Sequence, residues 1–162
     1  MSNLDSIDSV TSYDDLCVLY CEDSEVSRTK MSRFLSRRIP NLIIAHDGKS
    51  GLELFEKHRP QLVITDIHMP EVDGITLCQT INKQDSNVVF IFTTAHNETQ
   101  YLHASIDLPV VKYLVKPISL DSLMASISKV ARDIEKQKKL ESQLKLVPAL
   151  NPELHYEQEK VK

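Results

Sequence analysis

In the stretch QLVITDIHMPEVDG (61–74), an apolar run, Leu62-Val63-Ile64-Thr65, stops at a carboxylate, Asp66. A charge left at the end of a buried strand is costly unless something offsets it. Other strand-like runs end in groups that could. CVLYC (17–21) is followed by Glu22-Asp23, NVVFIFTT (87–94) runs into Thr94-Ala95, and VVKYLV (110–115) leads to Lys116-Pro117. Three carboxylates gathered in one place repel and raise one another's pKa unless a cation intervenes. Hard oxygen ligands suit Mg²⁺, which is usually held by one or two carboxylates plus a phosphoryl oxygen. Lys116 adds a fixed positive charge and Thr94 a hydrogen-bond donor. A divalent ion, a lysine and a hydroxyl around a carboxylate meet the needs of phosphoryl transfer, where positioning and charge stabilisation dominate. An aspartate can itself be the nucleophile, and Asp66 is the candidate. Taken singly, each feature has a plainer explanation: acidic residues often follow strands, and a Lys-Pro step is often just a turn.

These groups meet only if a fold brings the strand ends together. CVLYC (17–21), NLIIAH (41–46), QLVITD (61–66), NVVFIFTT (87–94) and VVKYLV (110–115) are mostly apolar without clean alternation, as in parallel strands covered on both faces. Helix-period segments lie between them. The first, 25–38, carries Val26, Met31, Phe34 and Leu35 on one side and ends before Pro40. The next span about 50–58, 75–83 and 98–106. A fifth begins after Ser119, an N-cap with Asp121 in the first turn, and carries the stripe Leu120, Leu123, Ile127, Val130, Ile134. Five βα units in succession predict a doubly wound α/β domain with a five-stranded parallel sheet, and right-handed crossovers favour the order 2-1-3-4-5. Its switch point lies between strands 1 and 3, beside Asp66, whereas His46-Asp47 would lie off it.

Composition narrows the function. A chain of 162 residues with 41% hydrophobic and 26% charged residues can build an ordinary core. Net charge −4, with no dense Lys/Arg patch, argues against direct nucleic-acid binding. Cys17, Cys21 and Cys78 lack metal-ligand spacing and suit reduced core thiols. No stretch approaches the ~18 apolar residues of a membrane span, so a cytoplasmic location is expected.

CVLYCEDS, LVITDIHMPEVDG, IFTTAH and KYLVKPI together closely resemble the receiver domains of response regulators in two-component signalling, over about residues 15–133. The resemblance implies a flavodoxin-like three-layer architecture. It implies that Asp66 accepts a phosphoryl group from a histidine kinase or phosphotransfer protein. Asp23 and Asp66, with the backbone carbonyl of His68, would bind Mg²⁺ directly, and Glu22 through a water. Lys116, Thr94 and the backbone N–H of Ala95 would bind the phosphoryl group, and the Lys116-Pro117 bond would be cis, an option essentially confined to X-Pro steps. Thr94 would be the switch hydroxyl and Tyr113 the switch aromatic. On phosphorylation Thr94 would move toward the phosphoryl group and leave space for Tyr113 to turn in. The face of the fourth helix, fifth strand and fifth helix would then change its affinity for a downstream protein. A homodimer through that face, or through the C-terminal helix, is a further expected partner.

Some positions depart from the family pattern. Glu22 stands where Asp is more frequent. His68 and His96 lie two residues past Asp66 and Thr94. The bland reading makes them surface histidines at variable positions, and the sharper one has their protonation tune the lifetime of the phosphorylated state. Ile106-Asp107-Leu108-Pro109 replaces a glycine-containing turn. Residues 1–14 suit a disordered N-terminal tail, and 134–162 a helical extension, linker or disordered tail in which Leu140, Leu144 and Val147 form an out-of-phase stripe, ended by Pro148 and Pro152. With no room for an output domain, the chain would be a single-domain regulator or the first module of a longer one. Two rival readings are an aspartyl-nucleophile phosphatase and a receiver that binds partners without phosphorylation. Phosphatases of the haloacid-dehalogenase type place Asp-x-Asp on their first strand, unlike Asp66-Ile67-His68 here. The presence of all five site residues speaks against the second.

Overall fold

The protein is described by a computed structural model over residues 12–95 and 99–146. Its apolar runs form five strands: β1 (Cys17–Cys21), β2 (Asn41–Ala45), β3 (Leu62–Asp66), β4 (Val89–Thr94) and β5 (Val110–Val115). They pair in parallel in the order β2-β1-β3-β4-β5. All five residues of β3 are buried, whereas the edge strands β2 and β5 are only partly covered. That gradient explains why the central strands read as unbroken apolar runs. Leu19, Val63, Phe90 and Phe92 from the sheet pack with Phe55, Leu77 and Ile81 from the helices.

The crossovers are α1 (Glu25–Ser36), α2 (Gly48–His58), α3 (Gly74–Gln84) and α4 (Thr99–Ala104), and α5 (Leu120–Lys145) follows β5. Side chains set where each begins. Ser24 caps α1, accepting from Ser27 N at 3.4 Å. Asp47 and Ser50 form a reciprocal capping box, so α2 starts at Gly48, two residues before the apolar period suggests. Asp73 caps α3, and Ser119 Oγ accepts from Ser122 N at the start of α5.

The inward side of α1 departs from the sequence reading. Val26 is 80% exposed and only Leu35 is fully buried, because the helix turns just one narrow edge to the sheet. α4 is shorter than the expected 98–106. It closes at Ala104, where Ser105 bonds back to the Tyr101 carbonyl and a turn takes over. Within the stretch assigned to the N-terminal tail, residues 12–14 have definite contacts: the Tyr13 hydroxyl pairs with Ser128 Oγ at 2.6 Å.

The chain divides into two units, Met1–Ala131 and Arg132–Lys162. In the second, α5 continues to Lys145 with a Glu135–Lys139 ion pair at 2.8 Å and with Leu140 and Leu144 exposed. Val147, Pro148 and Pro152 lie outside the described residues.

Two glycines let the helices approach the site. A Cβ on Gly74 would sit 2.1 Å from the Asp66 carbonyl oxygen, and one on Gly48 would sit 2.2 Å from the Val72 carbonyl oxygen. Both obstacles are backbone, which cannot swing away. Gly74→Ala is therefore expected to lower the unfolding free energy by about 1–3 kcal/mol, the usual cost of overpacking, seen as a reduced urea midpoint at constant slope. An unchanged midpoint would show that the loop after Asp66 yields freely.

Candidate functional site

Because β1 and β3 are neighbours in register, with Cys21 opposite Thr65, the residues that follow them emerge side by side. Glu22 is 1% exposed and Asp66 is 6% exposed, while Asp23 points to solvent. One carboxylate oxygen from each of the three lies within 4.8 Å of the other two. Lys116 reaches in from the end of β5. Its Nζ lies 2.7 Å from Asp66 Oδ2 and 2.8 Å from Glu22 Oε2. Its own backbone N–H donates to the Thr94 carbonyl at 2.7 Å, which ties the lysine to the end of β4. The Lys116-Pro117 peptide bond is cis.

The second oxygens of the two buried carboxylates are also engaged. Glu22 Oε1 accepts from Ser24 N, and Asp66 Oδ1 accepts from His68 N, both at 3.2 Å. Burial pushes the Glu22 carboxyl above its ordinary value, partly opposed by the hydrogen bond from Lys116. For Lys116, burial works against the charge, but hydrogen bonds to Asp66 and Glu22 outweigh it and raise the pKa. The Glu22 side chain is almost wholly removed from water, and that burial outweighs the lysine's charge. When all are ionised, three carboxylates outnumber the Lys116 ammonium and the Arg28 guanidinium, the cations placed beside them among the described residues. That donor set, hard oxygens with an uncompensated negative charge, suits a divalent cation such as Mg²⁺.

Thr94 is buried at the end of β4. Ala95 is exposed beside it, and His96 lies outside the described residues. Tyr113 is half-buried on β5, stacked on Phe92 with centroids 5.5 Å apart, and its hydroxyl pairs with Ser105 Oγ. His68 is exposed. Its ring meets Tyr101 edge-on at 5.2 Å, and its Nε2 lies 3.2 Å from the Tyr101 hydroxyl. His46 and Asp47 lie apart from this group. Asp47 caps α2, and its hydrogen bonds from Ser50 hold its pKa below the ordinary value.

Sequence reasoning passed over several contributors. Arg28 Nη1 donates to the carbonyls of Glu22 (2.9 Å) and Asp23 (3.2 Å), fastening the acidic turn to α1. A basic residue five positions after an acidic pair is too common a spacing to announce this. Glu71 takes a left-handed backbone (φ 65°) in the loop after Asp66, and Val72 N bonds to the Pro70 carbonyl there. A cavity of about 430 Å³ lies against Lys116 and Glu22, walled by Tyr20, Lys30, Phe34 and Pro117.

The raised Glu22 value has a consequence for stability. The native carboxyl holds its proton to higher pH than the unfolded one, so its contribution falls as pH rises from 4.5 through the raised value. In metal-free protein, Glu22→Gln is expected to lessen that decline. Parallel urea titrations of the two proteins across this window check it, and a stability difference independent of pH contradicts it.

The model of the response regulator receiver domain family matches residues 18–128. Among curated proteins, the transcriptional regulatory protein HptR of Staphylococcus aureus is 29% identical over 123 residues, 74% of this chain and 48% of that protein. The probable transcriptional regulator ycf27 of Galdieria sulphuraria is 34% identical over 119 residues, 74% of this chain and 46% of that protein. The chain thus spans about half the length of the curated relatives it matches. Among solved structures, the N-terminal domain of an uncharacterized protein from Wolinella succinogenes superposes with a TM-score of 0.70 at 32% identity, covering 76% of this chain and 98% of that one. The receiver domain of AraT, a response regulator from Geobacillus stearothermophilus, gives 0.67 at 28% identity, with the same two coverages. Among the described residues, no helix is long and apolar enough to cross a membrane.

Proposed function

Because the chain belongs to the response regulator receiver domain family, we propose that it is a phosphoacceptor switch of two-component signalling with Asp66 as the acceptor. The observation that carries this is the buried Asp66 carboxylate, bonded to Lys116 and grouped with Glu22 and Asp23 at the carboxyl ends of the central strands. An Asp66 oxygen attacks the phosphorus of a phosphohistidine in line with the P–N bond. The new P–O bond forms as that bond breaks, and the imidazole leaves with its electron pair and takes up a proton. Lys116 follows the charge onto the phosphoryl oxygens, and Thr94 and the Ala95 N–H donate to them. Asp23, Asp66 and the His68 carbonyl would hold Mg²⁺, with Glu22 acting through water. When bound, the ion neutralises charge on the transferring group.

The phosphodonor, a histidine kinase or phosphotransfer protein, approaches over α1 and the β5–α5 loop. There the cavity presents an apolar wall beside Lys116, the partner of the reacting carboxylate. The output is a protein-binding face on α4, β5 and α5, where Leu102 and Val115 are exposed. The receiver unit is taken as residues 15–133, with 1–14 and 134–162 as flanking segments. His68 and His96 fill variable positions beside the site, with tuning of the phosphoryl group's lifetime as the sharper alternative.

Incubation with acetyl phosphate and Mg²⁺ is expected to add one phosphoryl group to the intact mass. Asp66→Asn, or excess EDTA, should abolish the gain. Full uptake by Asp66→Asn, or a protein that turns over many phosphate esters instead of being modified, would overturn the reading.

A further inference from the structure

Ser105 stands outside the acidic site, yet it is a buried polar residue, 2% exposed. Its Oγ donates to the Tyr101 carbonyl at 2.7 Å. That bond sets the direction of its neighbour. With its proton committed to Tyr101, Ser105 Oγ serves the Tyr113 hydroxyl as an acceptor. A chain results, from the Tyr113 O–H to Ser105 Oγ and from the Ser105 O–H to the Tyr101 carbonyl, and such chains strengthen cooperatively. The ring of Tyr113 rests on the neighbouring strand. Pairing slips between Phe90 and Ile91, so that Phe90 faces Val110 but Ile91 faces Lys112. That shift places Tyr113 opposite Phe92, on which it stacks at 27°. Tyr101, whose carbonyl ends the chain, also holds the His68 ring with its own side chain.

We propose that Ser105 is a positioning residue that holds Tyr113 against Phe92 before any phosphoryl group is present. Tyr113 and the C-terminal end of α4 then move as one body. This rests on the reading of Tyr113 as the switch aromatic. A turn of Tyr113 into solvent leaves Ser105 its bond to Tyr101 but removes the proton that it accepts. The bond's net worth biases Tyr113 toward the core position by about fivefold. Alanine at 105 would leave the Tyr113 hydroxyl facing no acceptor, whereas threonine keeps the oxygen.

The test is the nitration rate of Tyr113 by tetranitromethane in the full, unphosphorylated chain, read by peptide mapping with Tyr13 as internal reference. Ser105→Ala is expected to raise the Tyr113 rate about fivefold without changing that of Tyr13, and Ser105→Thr to restore the wild-type rate. A Tyr113 rate unchanged in Ser105→Ala, or a Ser105→Thr rate as fast as that of Ser105→Ala, overturns the proposal. Where Ser105→Ala does not fold, Tyr113→Phe keeps the ring and removes the donor, and it is read by amide exchange rather than by nitration. Amide exchange across 100–105 should quicken by a similar factor, and unchanged exchange overturns the proposal. Failure of the switch reading is separable: a chain that takes up no phosphoryl group at Asp66 leaves both results standing.

Discussion

The Lys116 ammonium, shared at 2.7 and 2.8 Å between Asp66 and Glu22, is the contact on which the carboxyl end of the sheet depends. Both carboxylates are nearly removed from water, and removing one partner from a buried ion pair typically costs about 3–5 kcal/mol. The strand order makes the sharing geometrically available. β1 and β3 lie side by side, β4 comes next, and β5 brings the lysine over the top of β4 through its bond to the Thr94 carbonyl. One ammonium still leaves three close carboxylates under-compensated, which disposes the site toward a divalent cation and a phosphoryl group.

Around that contact the backbone is held from several sides. Arg28 fastens the acidic turn to α1, and Gly74 and Gly48 let α3 and α2 come against the loop after Asp66. The same loop carries the left-handed Glu71. His68 then joins this loop to α4 through Tyr101, and α4 joins β5 through Ser105 and Tyr113. In the proposed switch, a change of charge at Asp66 therefore meets a continuous set of hydrogen bonds leading to the output face.

Much of this was legible in the sequence for physical reasons. Parallel strands covered on both faces must be apolar throughout, so CVLYC and LVIT announced themselves, and right-handed crossovers left few orders to consider. Chemistry at strand ends then followed from topology alone. Local rules served the start of α5 at Ser119 but misjudged α2, where the Asp47–Ser50 box extends the helix beyond its apolar period. Val26 looked like part of an inner stripe because periodicity reports which residues share a face, not how wide a face is buried. The pairing of Ser105 with Tyr113 was illegible for a different reason. It depends on where α4 stops and on a register shift in β5, both tertiary outcomes.

In the proposed switch, the carboxylate beside Lys116 is the one that takes the phosphoryl group. Brief reaction with acetyl phosphate and Mg²⁺, followed by borohydride reduction and peptide mapping, tests it most directly, because reduction converts an aspartyl phosphate to homoserine. Homoserine is expected at position 66 alone, dependent on Mg²⁺. Reduction product at position 23 or at Glu22, or none anywhere in the chain, would contradict it.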